Sequence, residues 1–281
     1  MTLHFVAYGE GTPVLALHGW TPDHRLMTGC LEPIFAERPG YRRYYPDLPA
    51  MGQSPGYHAY SAEDILTAVL AFIDEQIGSE PFLLIGESFG GLLARSLVAR
   101  RPEQILGLAL ICPVGKNLDY ADRIVPEHQV IRADPALLAS LDPAEAAEFA
   151  ELAVVQSPET LRRFRSDVVP GLAAADQDRL AVIRRDWVLA VQPESGPVYP
   201  RPTLVLTGRQ DASVGYAEQY DLLPHYPRAS FVVLDRAGHN LQFEQPALFD
   251  WLISEWLDRV MEAVAASSRG AAAETEVGAM V

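Results

Sequence analysis

The sequence predicts an α/β fold: a mostly parallel central sheet flanked by helices and interrupted by a helical insertion. Three observations predict it. Short apolar runs recur along the 281 residues, most of them followed by a turn and then a helical pattern. Several runs are apolar at nearly every position, which requires burial on both faces, as in a parallel sheet covered by helices. Between residues 114 and 197 the alternation stops, and only helix starts remain. Strand–helix alternation of this kind builds a doubly wound sheet that takes ligands at the carboxyl ends of its strands.

The elements follow in order. Leu3 to Tyr8 and Val14 to Leu17 are the first two strands. The opening MTLHFVAYGEG carries neither the basic nor the apolar region of a secretory signal and reads as the start of a strand. Tyr41 to Tyr45 is a more polar third strand. Ser61-Ala-Glu-Asp64 caps a helix whose apolar stripe is Ile65, Val69, Phe72, Ile73 and Ile77. Phe82 to Ile85 is a strand that turns sharply into a helix over Leu92 to Ala99, and Ile105 to Cys112 is the next strand. In the insertion, Asp134-Pro135, Asp142-Pro143 and Ser157-Pro158 each set an N-cap residue before a proline at the first helical position. Thr203 to Leu206 and Ser230 to Leu234 resume the strands, and Pro246 to Val260 closes the pattern as a helix. The chain therefore divides into a core of residues 1–113 and 198–262 and an insertion at 114–197, expected to form a cap or lid. Residues 263–281 are rich in Ala, Gly, Ser and Glu without periodicity, and are expected to be a disordered tail.

Composition narrows the function. With 49% hydrophobic and 21% charged residues the chain can bury a sizeable core. Its formal net charge of −15 repels phosphate backbones and anionic lipid, so neither nucleic acid nor a membrane is expected as a partner. No run approaches the ~18 apolar residues of a membrane span. Cys30 and Cys112 belong to no CxxC or Cys/His pattern, and two reduced thiols fit a cytoplasmic protein. The seven histidines form no HExxH-like helix face, so no metal site is expected. A small-molecule substrate, no cofactor, and a monomer or homodimer complete the expectation.

The chemistry starts at Gly86-Glu87-Ser88-Phe89-Gly90, on the strand-to-helix junction. A tight turn there strains the backbone at its apex and lifts the serine clear of the sheet. Glycines at 86 and 90 let the two arms pass, and the following helix aims its free N–H groups and positive dipole end at the serine oxygen. A serine nucleophile needs a base, and the base needs an orienting acid. Thr203-Leu-Val-Leu-Thr-Gly-Arg-Gln-Asp211 and Phe231-Val-Val-Leu-Asp-Arg-Ala-Gly-His239 are strands running into loops that end in those two residue types. Both lie past the carboxyl end of a strand, on the edge where Ser88 must be, and the chain order is Ser, Asp, His.

On these residues the chain resembles the α/β-hydrolases, from its first strands to about Val260. The resemblance implies Ser88 as nucleophile, His239 as general base and then acid, and Asp211 as orienting carboxylate. Some members carry the acid after the strand at 105–112; here Cys112-Pro-Val-Gly115 holds none before Asp119, and Asp211 is favoured. Leu17-His-Gly-Trp20 resembles the family's oxyanion loop, implying the backbone N–H groups of Trp20 and Phe89 as the oxyanion hole. His18 is expected to hold that loop by hydrogen bonding, beside the substrate pocket, and Trp187 to line the pocket from the insertion. Asp47 to Ser54 resembles the family's DxPGxGxS turn with Ala50 in place of glycine. Glu87 departs from the commoner His or Gly. Its side chain is expected to point away from Ser88, although a carboxylate so close would disfavour anionic substrates.

The implied reaction is acyl transfer from a small carboxylic ester to water through an acyl-enzyme. Family members with an aspartate nucleophile, the haloalkane dehalogenases and epoxide hydrolases, are excluded by Ser88. Prolyl-aminopeptidase-like and carbon–carbon bond hydrolysis stay open on the same three residues. So does a ligand receptor with little turnover. Leu138, Leu141, Phe149, Leu152 and Phe164 in the insertion imply a pocket wall that is partly apolar.

Overall fold

In the structure, a computed structural model, all residues are described except 1, 55, 57, 58, 117, 119 and 279–281. Seven strands form one sheet: β1 (Phe5–Tyr8), β2 (Thr12–Leu17), β3 (Tyr41–Pro46), β4 (Phe82–Glu87), β5 (Ile105–Ile111), β6 (Thr203–Gly208) and β7 (Ala229–Leu234). Their order is β1-β3-β2-β4-β5-β6-β7, and every neighbouring pair is parallel except β1 with β3. All six residues of β4 and of β6 are buried, as their unbroken apolar runs require. The crossover helices are α1 (His24–Ala36), α2 (Ala62–Gln76) and α3 (Phe89–Arg100). Ser61 caps α2 through Asp64 N–H, and Ile65, Val69, Phe72 and Ile73 are buried on it, the face read from the sequence.

Between β5 and β6 the chain forms α4 (Pro135–Ala139), α5 (Pro143–Leu152), α6 (Pro158–Arg163), α7 (Val169–Ala174) and α8 (Gln177–Ile183). Asp134, Asp142 and Ser157 each accept a backbone N–H at their helix start, with proline in the first turn. Phe149, Ala153, Leu161, Phe164 and Val168 of this insertion make a second small core that closes on Leu26 of α1 and on Phe243. Phe243 lies in α9 (Leu241–Glu244), the turn that follows the β7 loop.

Helix α10 runs Pro246–Gly278, through most of the segment expected to be disordered. Phe249, Ile253, Trp256, Leu257 and Val260 bury one face of its first half and supply a formed helix. Beyond them Ala and Glu, which are strong helix formers, need only propagate it. Among the described residues no helix is long and apolar enough to cross a membrane.

Candidate active site

Ser88 sits at the apex between β4 and α3 with φ 52° and ψ −114°, the strained conformation that a sharp elbow demands. Its neighbours show why they are glycines. A Cβ at Gly86 would strike the Gly90 carbonyl, and one at Gly90 would strike the carbonyls of Leu17 and His18. The elbow is thus pressed against the end of β2. Ser88 N–H donates to Ile111 O, and Val114 N–H donates back to Ser88 O, which pins the corner to the end of β5.

His239 and Asp211 reach the same point from the loops after β7 and β6. His239 Nε2 lies 2.9 Å from Ser88 Oγ, and His239 Nδ1 lies 2.9 Å from Asp211 Oδ2. Asp211 is fully buried, and its Oδ1 accepts the N–H groups of Ser213 and Val214 at 2.8 and 3.0 Å. Held this way, the carboxylate accepts the Nδ1 proton and leaves Nε2 to accept from the serine hydroxyl. Burial depresses the basicity of His239, but the charge and hydrogen bond of Asp211, with the charge of Glu87, outweigh it and raise its pKa to about 9.

The Glu87 carboxylate does not point away from Ser88, as expected from the sequence. It is buried with Oε1 3.5 Å from His239 Nε2, so the imidazole faces two carboxylates. Burial raises the Glu87 pKa to about 7; the charge of His239 opposes the shift, that of Asp211 adds to it, and the Gly19 N–H opposes it. A Cβ at Gly19 would collide with Glu87 Oε2 and lie 3.0 Å from Ser88 Cβ. The loop after β2 therefore passes directly over the serine, and glycine is what lets it. Trp20 follows on this loop, and Phe89 is the first residue of α3, where a backbone N–H has no intrahelical acceptor.

His18 is placed elsewhere than the pocket. It is fully buried, its Nε2 accepts Leu48 N–H at 2.9 Å and its Nδ1 donates to Gly19 O at 2.8 Å. Burial lowers its pKa, so the ring stays neutral and serves as a brace for the loop. Trp187 is half-buried, its ring 4.9 Å from Trp20 and 4.7 Å from Phe89, so the end of the insertion reaches the residues flanking Ser88. Asp119, the alternative acid, lies outside the described residues.

A cavity of about 310 Å³ opens beside His239, with Leu152 and Phe164 of the insertion on its wall. Phe149 is instead wholly interior to the small second core. Glu244 carries no motif in the sequence. Its buried carboxylate accepts Gly238 N–H at 2.6 Å and Val154 N–H at 2.7 Å, joining the His239 loop to the insertion. Only its place five residues after His239, ahead of Pro246, could have marked it.

Among the described residues, two groups of donor atoms are close enough to share an ion: His4, His24 and Asp47, and Cys112, Asp211 and His239. In the first, both imidazole Nδ1 atoms are within 2.8 Å of Asp47 oxygens and are spent on hydrogen bonds. In the second, burial holds the Cys112 thiol well above its ordinary pKa, and a protonated thiol is a poor ligand.

The chain also has relatives among known proteins. The chain is similar to lipase LipV of Mycobacterium tuberculosis, with 36% identity over 154 residues, 51% of this chain and 52% of the lipase. It is similar to the pimeloyl-[acyl-carrier protein] methyl ester esterase of Aeromonas hydrophila, with 27% identity over 92% of this chain and 100% of the esterase. The match spans about half, 52%, of the length of two relatives, LipV being one. Among solved structures, an alpha/beta superfamily hydrolase from Oenococcus oeni PSU-1 superposes with a TM-score of 0.84 at 28% identity, covering 91% of this chain and 95% of that one. Residues 12–246 match the alpha/beta hydrolase fold family, and the chain belongs to it.

Proposed function

We propose that the protein is a serine hydrolase that cleaves a small carboxylic ester through an acyl-enzyme. The observation that carries this reading is the line of contacts from Ser88 Oγ through His239 to Asp211, 2.9 Å at each step. His239 takes the Ser88 proton as the alkoxide attacks the ester carbonyl, and the N–H groups of Trp20 and Phe89 hold the oxyanion. The imidazolium then protonates the departing alcohol, and water, activated by the same imidazole, releases the acid. Asp211 keeps the ring in the tautomer that this sequence of transfers needs. Relatives named as an esterase and a lipase support ester rather than amide chemistry. The protein is proposed to act on a small molecule in the cytoplasm, as a monomer or homodimer.

The test is a panel of p-nitrophenyl esters of rising acyl length, with aminoacyl anilides beside it. Wild type should turn over an ester many times, and a fluorophosphonate should label Ser88. Ser88→Ala should lose at least ~10³-fold in kcat with its Tm unchanged. Release that stalls after one equivalent would favour a receptor, and preferred cleavage of anilides would favour a peptidase.

A further inference from the structure

We propose that the site selects esters whose leaving alcohol carries a positive charge, an alkylammonium of about the size of choline, and disfavours anionic ones. This rests on the ester reading above and specifies its substrate class. In acyl transfer His239 Nε2 must hand its proton to the departing oxygen, so the leaving group has to lie on the His239 side of Ser88. The cavity of about 310 Å³ adjoins His239, with Gly238 and Gln210 also on its wall; Ser88, Trp20, Phe89 and Trp187 are not among its lining residues.

The carboxylates on that cavity's wall face no lysine or arginine on it; the imidazoles of His128 and His239 also line it, and the His239 that acts as base is neutral. Glu148 and Glu151 both line it from α5. They are three residues apart, one turn of the helix, and so share a face. Glu145, on the same helix, is paired with Arg165, whereas among the described residues no ion pair engages Glu148 or Glu151. The guanidinium of buried Arg123 donates to the carbonyls of Ser213 and Leu118, and its charge also reaches His239. Glu87 adds a further carboxylate 3.5 Å from the imidazole that meets the leaving group. Leu152, Phe164 and Leu172 supply apolar wall for the alkyl groups of an ammonium. Two carboxylates several ångströms from a bound cation, partly screened by salt, correspond to a selectivity of ~3–10-fold.

Three butyrate esters of matched size test this: those of choline, of neutral 3,3-dimethylbutanol and of anionic 2-hydroxyethanesulfonate. Wild type should rank them cation above neutral above anion in kcat/KM, with the cation at least ~3-fold over the neutral ester. Raising the salt to about 1 M should shrink that ratio. In Glu148→Gln/Glu151→Gln the cation-to-neutral ratio should fall toward one. A wild-type ratio of one or less, or a ratio unchanged in the double variant, overturns the proposal while leaving the ester reading intact. If none of the three esters is hydrolysed, the ester reading falls and this inference falls with it.

Discussion

His239 is held between two carboxylates, and that arrangement sets how activity must answer to pH. The imidazole is a base only when neutral, and its pKa stands at about 9. Activity as kcat/KM should therefore rise from neutrality and level off near that value. Glu87 contributes to the elevation, and removing a neighbouring negative charge lowers the pKa of a cation. Glu87→Gln should move the midpoint of the profile down by about one pH unit. A midpoint that stays in place would show that Asp211 alone sets it. At this scale the sequence is legible where chemistry and chain order coincide. Ser88, Asp211 and His239 each follow the carboxyl end of a strand on one edge, in that chain order, and the three meet there. The side to which Glu87 turns is not legible, because the pleat at the end of β4 decides it and nothing in GESFG records which face carries the histidine. His18 braces its loop as expected, and only its place beside the pocket is misread. The HG pair reads as lining, but a neutral imidazole with both nitrogens occupied belongs to the interior.

Elements carry the next level of constraint, and α9 shows it most plainly. Glu244 sits on this single turn and gathers N–H groups from Gly238 and Val154, which are 84 residues apart in sequence. A glutamine offers one acceptor atom where the carboxylate offers two, and its NH₂ would face a donor. Glu244→Gln should cost ~1–3 kcal/mol in chemical denaturation, the range for a buried donor left unpaired. Because Gly238 precedes His239, kcat should fall with KM little changed; an unaltered kcat at lowered stability would confine Glu244 to holding the insertion. Such long-range satisfaction of backbone groups leaves no periodic trace, which is why pattern reading finds the strands and misses this residue. Helix α1 escaped the pattern for another reason. Pro33 lies inside it, and proline normally argues against a helix interior. The three Asp-Pro and Ser-Pro starts in the insertion were legible because a cap and a fixed φ are local signals that packing need not supply.

The molecule as a whole ties its insertion to the core at two points. Midway along it, Val154 is bound through Glu244; at the return, Glu194 makes a bidentate pair with buried Arg95 of α3 and accepts Tyr226 OH. We propose that the insertion, held to the core at these points, covers Ser88 as a lid; Trp187 near its return meets Trp20 and Phe89. A lid of this kind limits the acyl group and shields the acyl-enzyme from bulk water. Trp187 should then set acyl-length preference, and Trp187→Ala should change the ratio of kcat/KM between butyrate and octanoate esters, with octanoate gaining. The competing account is that Trp187 only packs the insertion against the core. That account predicts a loss of up to ~3 kcal/mol, the low end for a Trp→Ala change because the side chain is half-buried, with the ratio fixed. Measuring stability and both esters on the same variant separates the two, since a packing role moves the first quantity and a lid moves the second. A fixed ratio in Trp187→Ala would leave the end of the insertion without a part in acyl-group choice.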